Sequence, residues 1–313
     1  MILHTLYILL EDFLEFHFAF WNCAISPPGV KNKCAIDDVS EAVEIISALF
    51  KTNKISLLAL CEVNNESFSC IKKSLDSMGL CLAAEFMPDK TDNGAEFDIG
   101  YFFDPQKVFV EKGVAHTARL GTSSVKVAQQ LLLVINEDLS NVINIFISHW
   151  PSRLRKIADD FREECSKGLR LNIENYINNG RQVILMGDYN DEPYSQSLFK
   201  NIHATNDRAL VLSDPTYWLY NPFWKALSAR TPFTFDEDQH DLGTCYSKAG
   251  NRNNWSTFDQ IIFSGHFLHT GPWYLKESET GVVLTDKLRA AIMDNKNFID
   301  HMPVIGCISK RGV

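Results

Sequence analysis

Side chains able to hold metal ions and move protons recur at one kind of place in this chain, the end of an apolar run. Asn22 closes the aromatic run 16–21, Glu62 follows Leu60-Cys61, and His149 follows 142–148. Asp188 and Asn190 follow 183–186, Asp259 opens the run to Phe263, and Asp300-His301 stand just before 304–308. Carboxylates and a carboxamide offer the hard oxygens that divalent cations take, and imidazoles move or hold protons near neutral pH. The densest stretch is RQVILMGDYNDEP, residues 181–193. Its Gly187 lets the backbone turn tightly, so that polar groups land at a strand's carboxyl end, where α/β proteins keep their sites. Taken alone, G-D-x-N is also an ordinary Asx-rich turn. Six such placements in one chain are hard to explain independently.

The elements that must carry these residues can be read from periodicity. Strands are expected at 16–23, 55–60, 98–103, 108–111, 125–135, 142–148, 183–186, 258–263 and 304–308, with 80–87 extended. The long stretches 125–135 and 142–148 contain continuous apolar runs, as in strands covered on both faces. Helical spacing marks 37–50 through Val39, Ala42, Val43, Ile46 and Leu49, and a second helix is expected at 67–78. Ser152 is a fitting N-cap for a long helix to about 177, ended near Asn178-Asn179-Gly180, and 195–202 reads as a short one. Periodicity fails over 214–257, an elaborated loop region beside the site. No repeat, linker or low-complexity tract divides the chain, so one domain over 1–313 is expected, with 1–15 an irregular or amphipathic lead-in.

The 313 residues are 45% hydrophobic and 22% charged, a composition with ample material for a core. A formal charge of −9 argues against a surface coated in cations, although it leaves room for a local basic cleft. The eight cysteines form no C-x-x-C pair and read as buried free thiols of a reducing compartment. The apolar start, MILHTLYILLEDFLEF, lacks a basic flank and a cleavage site, and no run is long enough to span a bilayer. A soluble, cytoplasmic protein without a membrane partner is expected.

The order and wording of the site stretches resemble the endonuclease/exonuclease/phosphatase superfamily, the deoxyribonuclease I-like proteins. The matching segments are WN at 21–22, LCEV at 60–63, SHW at 148–150, GDYNDEP at 187–193, FDQIIFS at 258–264 and DHMPV at 300–304. They cover nearly the whole chain. The resemblance implies a four-layer α/β sandwich, two packed mixed β-sheets flanked by helices. It also implies a metal-dependent phosphodiesterase that attacks phosphorus in line with an activated water.

Residue by residue, the resemblance implies that Glu62 binds Mg²⁺, with Mn²⁺ able to substitute, and that Asn22 stands beside that metal. Ala24 occupies a place where some relatives carry an aspartate, which favours a single cation. Asp300 is either a metal-shell residue or a brace. His301 and Asp259 match the family's histidine–aspartate pair, Asp188 and Asn190 its catalytic pair, and His149 the histidine on the scissile phosphate. Whether Asp188 or His301 is the base is left open. Asp98 is a further substrate-side candidate, or simply the start of a strand. Arg153, with Arg155 and Lys156, would make a phosphate patch at a helix start, or a solvated face paired to Asp159 and Asp160. The aromatic set Tyr217, Trp218, Tyr220, Phe223, Trp224 and Trp255 would stack on bases or fill a minor core. From these features DNA is the expected substrate, ahead of RNA. The rivals are a small phosphoester or sphingolipid head group, and an inactive binding module of the same fold.

Overall fold

Strand β1, Phe13–Asn22, alternates by two and is committed on both faces. Phe16, Phe18 and Phe20 enter one core cluster, while Ala19 and Trp21 enter another on the opposite face. It pairs in parallel with β2 (Leu57–Cys61) and antiparallel with the closing strand Val304–Arg311, whose register begins Phe13↔Arg311. That pairing draws residues 13–15 out of the expected lead-in and into the sheet. The computed structural model describes residues 13–27, 36–136, 138–153, 158–228, 243–248, 254–294 and 296–311.

β2 pairs with β4 (Ile99–Phe103), and β4 with β3 (Ala83–Met87), while the short strands Tyr274–Leu275 and Gly281–Val282 flank the closing strand. The second sheet runs β5 (Val108–Leu120), β6 (Ser123–Ile135), β7 (Asp138–His149), β8 (Val183–Asp188), then Asp259–Ser264 and the short strands Leu219–Tyr220 and Ala204–Thr205. β7 and β8 are parallel and the other long pairs antiparallel. β5 runs nine residues past the expected 108–111. Its outer half has only a weak apolar signal, because it is an edge strand held by pairing with β6 and by helix α3 rather than by burial on two faces.

Between the sheets lies a dry layer in which Phe16, Phe18 and Leu57 meet Leu131, Leu133, Ile145, Ile184 and Ile261. The outer face of the first sheet packs on α1 (Ile36–Lys51), α2 (Asn65–Ser77) and the helix Asp286–Met293. The outer face of the second packs on α3 (Ala158–Asn178) and the π-helical turn Gln196–Asn201. These are the four layers of the expected sandwich. Helix α3 is described from Ala158, not from Ser152, and Arg155 and Lys156 lie outside the described residues. The 214–257 region holds a 3₁₀ turn, Pro222–Leu227, and a two-stranded ribbon, Cys245–Tyr246 with Trp255–Ser256; much of the rest lies outside the described residues.

The described cysteines are free thiols, and Cys70 and Cys81 are exposed, against the expectation of burial. Both lie at or just beyond the outward side of α2, where a small thiol needs no partner. Among the described residues no helix is long and apolar enough to cross a membrane.

Candidate active site

Sheet register assembles the site. Parallel pairing aligns His149 with Asp188, and antiparallel pairing aligns Asp188 with Asp259, so three of the expected residues lie abreast on neighbouring strands. This close approach needs Gly187, where a Cβ would sit 2.2 Å from the Ser148 carbonyl oxygen. From the facing sheet, β1 brings Asn22, whose Nδ2 donates to Asp188 Oδ2 at 3.0 Å and to Glu62 Oε1 at 3.2 Å. One carboxamide thus bridges the two sheets across the cleft.

Two imidazoles face this bridge, each backed by a buried aspartate. His301 Nδ1 and Asp259 Oδ2 lie 2.7 Å apart, leaving Nε2 directed at Asp188 Oδ2, 3.9 Å away. His149 Nδ1 lies 2.7 Å from Asp98 Oδ2, with Nε2 3.6 Å from Glu62 Oε1. Asp98 is therefore the orienting partner of His149, and Lys126 Nζ donates to its other oxygen at 2.5 Å. The same Asp98 oxygen that meets His149 also accepts the Glu62 backbone N–H at 3.3 Å.

The electrostatics follow from these pairings. Burial alone would make the Asp98 carboxyl harder to ionise, but His149 and Lys126 outweigh it and hold Asp98 well below the usual carboxylate range. Burial also works against a charged His149, yet Asp98, then Glu62 and Asp188, push its pKa up to about 9. His301 is likewise raised well above its ordinary value, against burial, by Asp259 and by Cys245, Asp300 and Asp188 around it. Glu62 is raised by burial, with the two histidines and Asn22 only partly offsetting it.

Backbone strain marks two of the site residues. Glu62 and Asn190 adopt φ of 57° and 52°, a region that costs a residue with a Cβ about 1–3 kcal/mol. Asn190 is secured by its own N–H, which donates to Asp188 Oδ1 at 2.9 Å, and by its Nδ2, which donates to the Trp150 carbonyl. Asp300 is half-exposed on the His301 side of the cleft, Oδ1 3.8 Å from Nε2.

Arg153, its side chain 44% exposed, is tied to the site loop. Its Nε donates to the Asn190 carbonyl and its Nη2 to Asp191 Oδ1 at 3.0 Å, with the guanidinium over the Phe258 ring. Asp191 is buried and also meets Arg162 Nε at 3.0 Å and the Ser197 hydroxyl. These contacts clamp the 188–193 loop from behind, because a buried carboxylate draws the nearest cations to itself. Of the aromatic set, Tyr220 and Phe223 are core residues, Trp255 packs on Tyr246, and Tyr217 stacks on His203.

Other residues of the site carried no signal in their spacing. Trp21 Nε1 donates to the His301 carbonyl at 3.0 Å, Thr244 Oγ1 accepts the Asp259 N–H, and Cys245 forms a backbone bridge with His301. Lys126 sits in the polar phase of an apolar run, the one hint available from sequence.

The donor set suits a hard divalent cation. Asp188, Asp259 and His301 bring ligand atoms within 4.8 Å of one another, the buried Asp259 Oδ1 has no hydrogen-bond partner among the described residues, and Glu62 Oε1 lies 3.2 Å from the Asn22 amide nitrogen that also meets Asp188. Asn22 Oδ1 accepts the Ala24 N–H, and Glu62 Oε1 accepts the Asn22 amide.

Comparison with known proteins agrees with the fold. A model of the endonuclease/exonuclease/phosphatase family matches residues 30–295. Among solved structures, the human Nocturnin catalytic domain with bound sulfate superposes with a TM-score of 0.58 at 17% identity, covering 96% of this chain and 97% of that one. A mannosyl-6-phosphatase of Bacteroides thetaiotaomicron gives 0.56 at 15% identity, covering 94% and 99%. ANGEL2, a 2′,3′-cyclic phosphatase in complex with adenosine-2′,3′-vanadate, gives 0.56 at 15%, covering 96% and 97%. No curated protein matches the chain.

Proposed function

Because the chain belongs to the endonuclease/exonuclease/phosphatase family, whose members are phosphoester hydrolases, we propose that it is a Mg²⁺-dependent phosphodiesterase acting on a nucleic-acid backbone, DNA ahead of RNA. The observation that carries this reading is the pair of aspartate-backed histidines facing one bridged Asp188–Asn22–Glu62 group from two sides. Such an arrangement can hold a phosphoryl group and orient a water at the same time.

In this reading Glu62, with Asn22 beside it, would hold the Mg²⁺, and Asp300 braces the His301 loop. A cation held there would supply Lewis-acid charge to the reacting phosphoryl group. His149 and His301, their Nδ1 atoms against Asp98 and Asp259, turn Nε2 to the cleft, where each would donate to a phosphoryl oxygen. That leaves Asp188 as the group that orients the attacking water and takes its proton, with Asn190 as an amide contact to the phosphate. Asp98 and Asp259 fix the two rings, and Arg153 supports the Asn190 loop. Tyr194, just past that loop and 58% exposed, offers a stacking face for a base.

A second reading, a phosphatase for a small phosphoester, is favoured by one observation. Tyr220 and Phe223 are buried, so part of the aromatic set that pointed to a polymer serves the fold instead. Supercoiled plasmid, single-stranded RNA and a phosphomonoester, each incubated with Mg²⁺ or EDTA and compared with His301→Ala, separate the readings. EDTA-sensitive nicking of plasmid that the variant loses supports the first, and hydrolysis of the monoester alone replaces it with the second.

A further inference from the structure

Far from the phosphoester site, four side chains with metal-ligating chemistry converge on the outer face of the first sheet. Glu15 and His17 are alternate residues of β1, and Cys307 of the closing strand is the direct cross-strand partner of His17. Glu279 arrives from the 3₁₀ turn Glu277–Glu279. Their ligand atoms all lie within 4.8 Å of one another. Five residues of strand, about 16 Å at the usual rise, separate His17 from Asn22, so this cluster is no part of the cleft.

The turn is laced to the strand below it. The Lys276 N–H donates to the Cys307 carbonyl at 2.9 Å, the Cys307 N–H donates to Thr280 Oγ1 at 3.0 Å, and that hydroxyl donates back to the Lys276 carbonyl. The Lys276 ammonium pairs with Glu15 and, at 2.6 Å, with Glu279, whose second oxygen is 2.6 Å from His17 Nε2. Ion pairing accounts for the lysine and the two glutamates. One nitrogen of His17 is paired to Glu279 as well, but ion pairing does not account for the fully buried cysteine directly opposite that histidine, whose thiol, among the described residues, meets the Glu279 carboxylate and, at 3.8 Å, the Ile308 carbonyl.

We propose that Glu15, His17, Glu279 and Cys307 form a zinc site that ties the 274–282 segment across the closing strand to β1. Sulfur, nitrogen and oxygen donors together are the preference of Zn²⁺, whereas Mg²⁺ takes oxygen and leaves thiolate alone. Binding releases the Cys307 proton to solvent, and Lys276 remains as an outer partner of the carboxylates. Three anionic ligands against a dication and an ammonium leave no net charge. Tetrahedral zinc bonds of about 2.0–2.3 Å separate donors by roughly 3.5 Å, so the His17–Glu279 contact opens by about 1 Å. The proposal stands independently of the phosphodiesterase reading.

The test is titration of chelator-stripped full-length protein with Co²⁺, followed by displacement with Zn²⁺. One equivalent should give tetrahedral d–d bands with thiolate-to-metal charge transfer, release a proton, and raise the melting temperature. The charge-transfer band should persist in Glu62→Gln, which weakens only the cleft's cation. It should vanish in Cys307→Ser, and His17→Gln should weaken binding at least about tenfold. Lys276→Met, which removes the competing cation, should tighten it by roughly tenfold. A folded wild type with no sulfur-to-metal band at stoichiometric Co²⁺ overturns the proposal, as does a band that survives Cys307→Ser. Should that variant not fold, unchanged affinity in both His17→Gln and Lys276→Met overturns it equally.

Discussion

Asp98→Asn isolates the charge on His149. In the wild type the His149 pKa stands at about 9 against an ordinary 6.5, and Asp98 is the largest contribution raising it, ahead of Glu62 and Asp188. The protonated ring is the form Asp98 favours, so the interaction is complete below about pH 6.5 and is lost as pH rises through about 9. At pH 8 a group with the raised pKa is about 90% charged, and one near the ordinary value only about 3%. Since Glu62 and Asp188 remain in the variant, the expected loss of kcat/KM at pH 8, relative to pH 6, is about tenfold. The assay is the pH profile of kcat/KM, which reports the free enzyme, together with an NMR titration of the His149 ring. The alkaline limb should move down by one to two pH units, at roughly the shift the ring itself shows. Folded-state stability should also lose its decline between about pH 6.5 and 9, and fall by about 1–3 kcal/mol overall because Lys126 is left without its carboxylate. Profiles of wild type and variant that superimpose after scaling would refute the argument, since Asp98 would then act through structure alone.

Three further outcomes follow from contacts in and behind the site. Asp259→Asn should keep the fold and lose roughly a thousandfold or more in kcat with little change in KM, read from steady-state kinetics beside a melting curve, because the ring of His301 loses its orienting carboxylate. Arg162→Met should destabilise by about 3–5 kcal/mol in urea unfolding, since the 2%-exposed guanidinium is a principal partner of the buried Asp191; a cost below about 1 kcal/mol would show that Arg153 and Ser197 suffice. Gly187→Ala should abolish soluble folded protein, because the added carbon meets the Ser148 carbonyl, a backbone atom that cannot turn aside; far-ultraviolet circular dichroism of the expressed product checks it.

The expected strands and helices were legible wherever one face or both faces are buried. Residues 142–148 and 183–186 read as strands because their neighbours on both sides are core, and 37–50 reads as a helix because α1 shows a single apolar stripe. The signal failed where another force holds the element. The outer half of β5 is an edge held by pairing, residues 13–15 are held by the closing strand, and the helices Arg208–Ser213 and Asp286–Met293 are too short for a period to stand out.

Within the candidate site the same division holds. The placement of Asn22, Glu62, His149, Asp188, Asp259 and His301 at strand ends was readable because each lies beside its own apolar run, a local property of the chain. Which of them meet was not, beyond the His301–Asp259 and Asp188–Asn190 pairs that the resemblance implied. Asp98 joins His149 across 51 residues and Lys126 across 28, and Arg153 turns to Asp191 across 38, contacts that exist only because sheet register and a buried carboxylate bring those groups within reach. Sequence by itself determined the family, the order of the elements and the chemical groups on offer, because hydrophobic periodicity and short motifs are written in neighbouring residues. Tertiary structure alone decided the His149–Asp98 pair, the clamp behind Asn190 and the cluster around Cys307, because electrostatic partnership depends on distance in space, and side chains at the same strand end can be aimed at quite different neighbours.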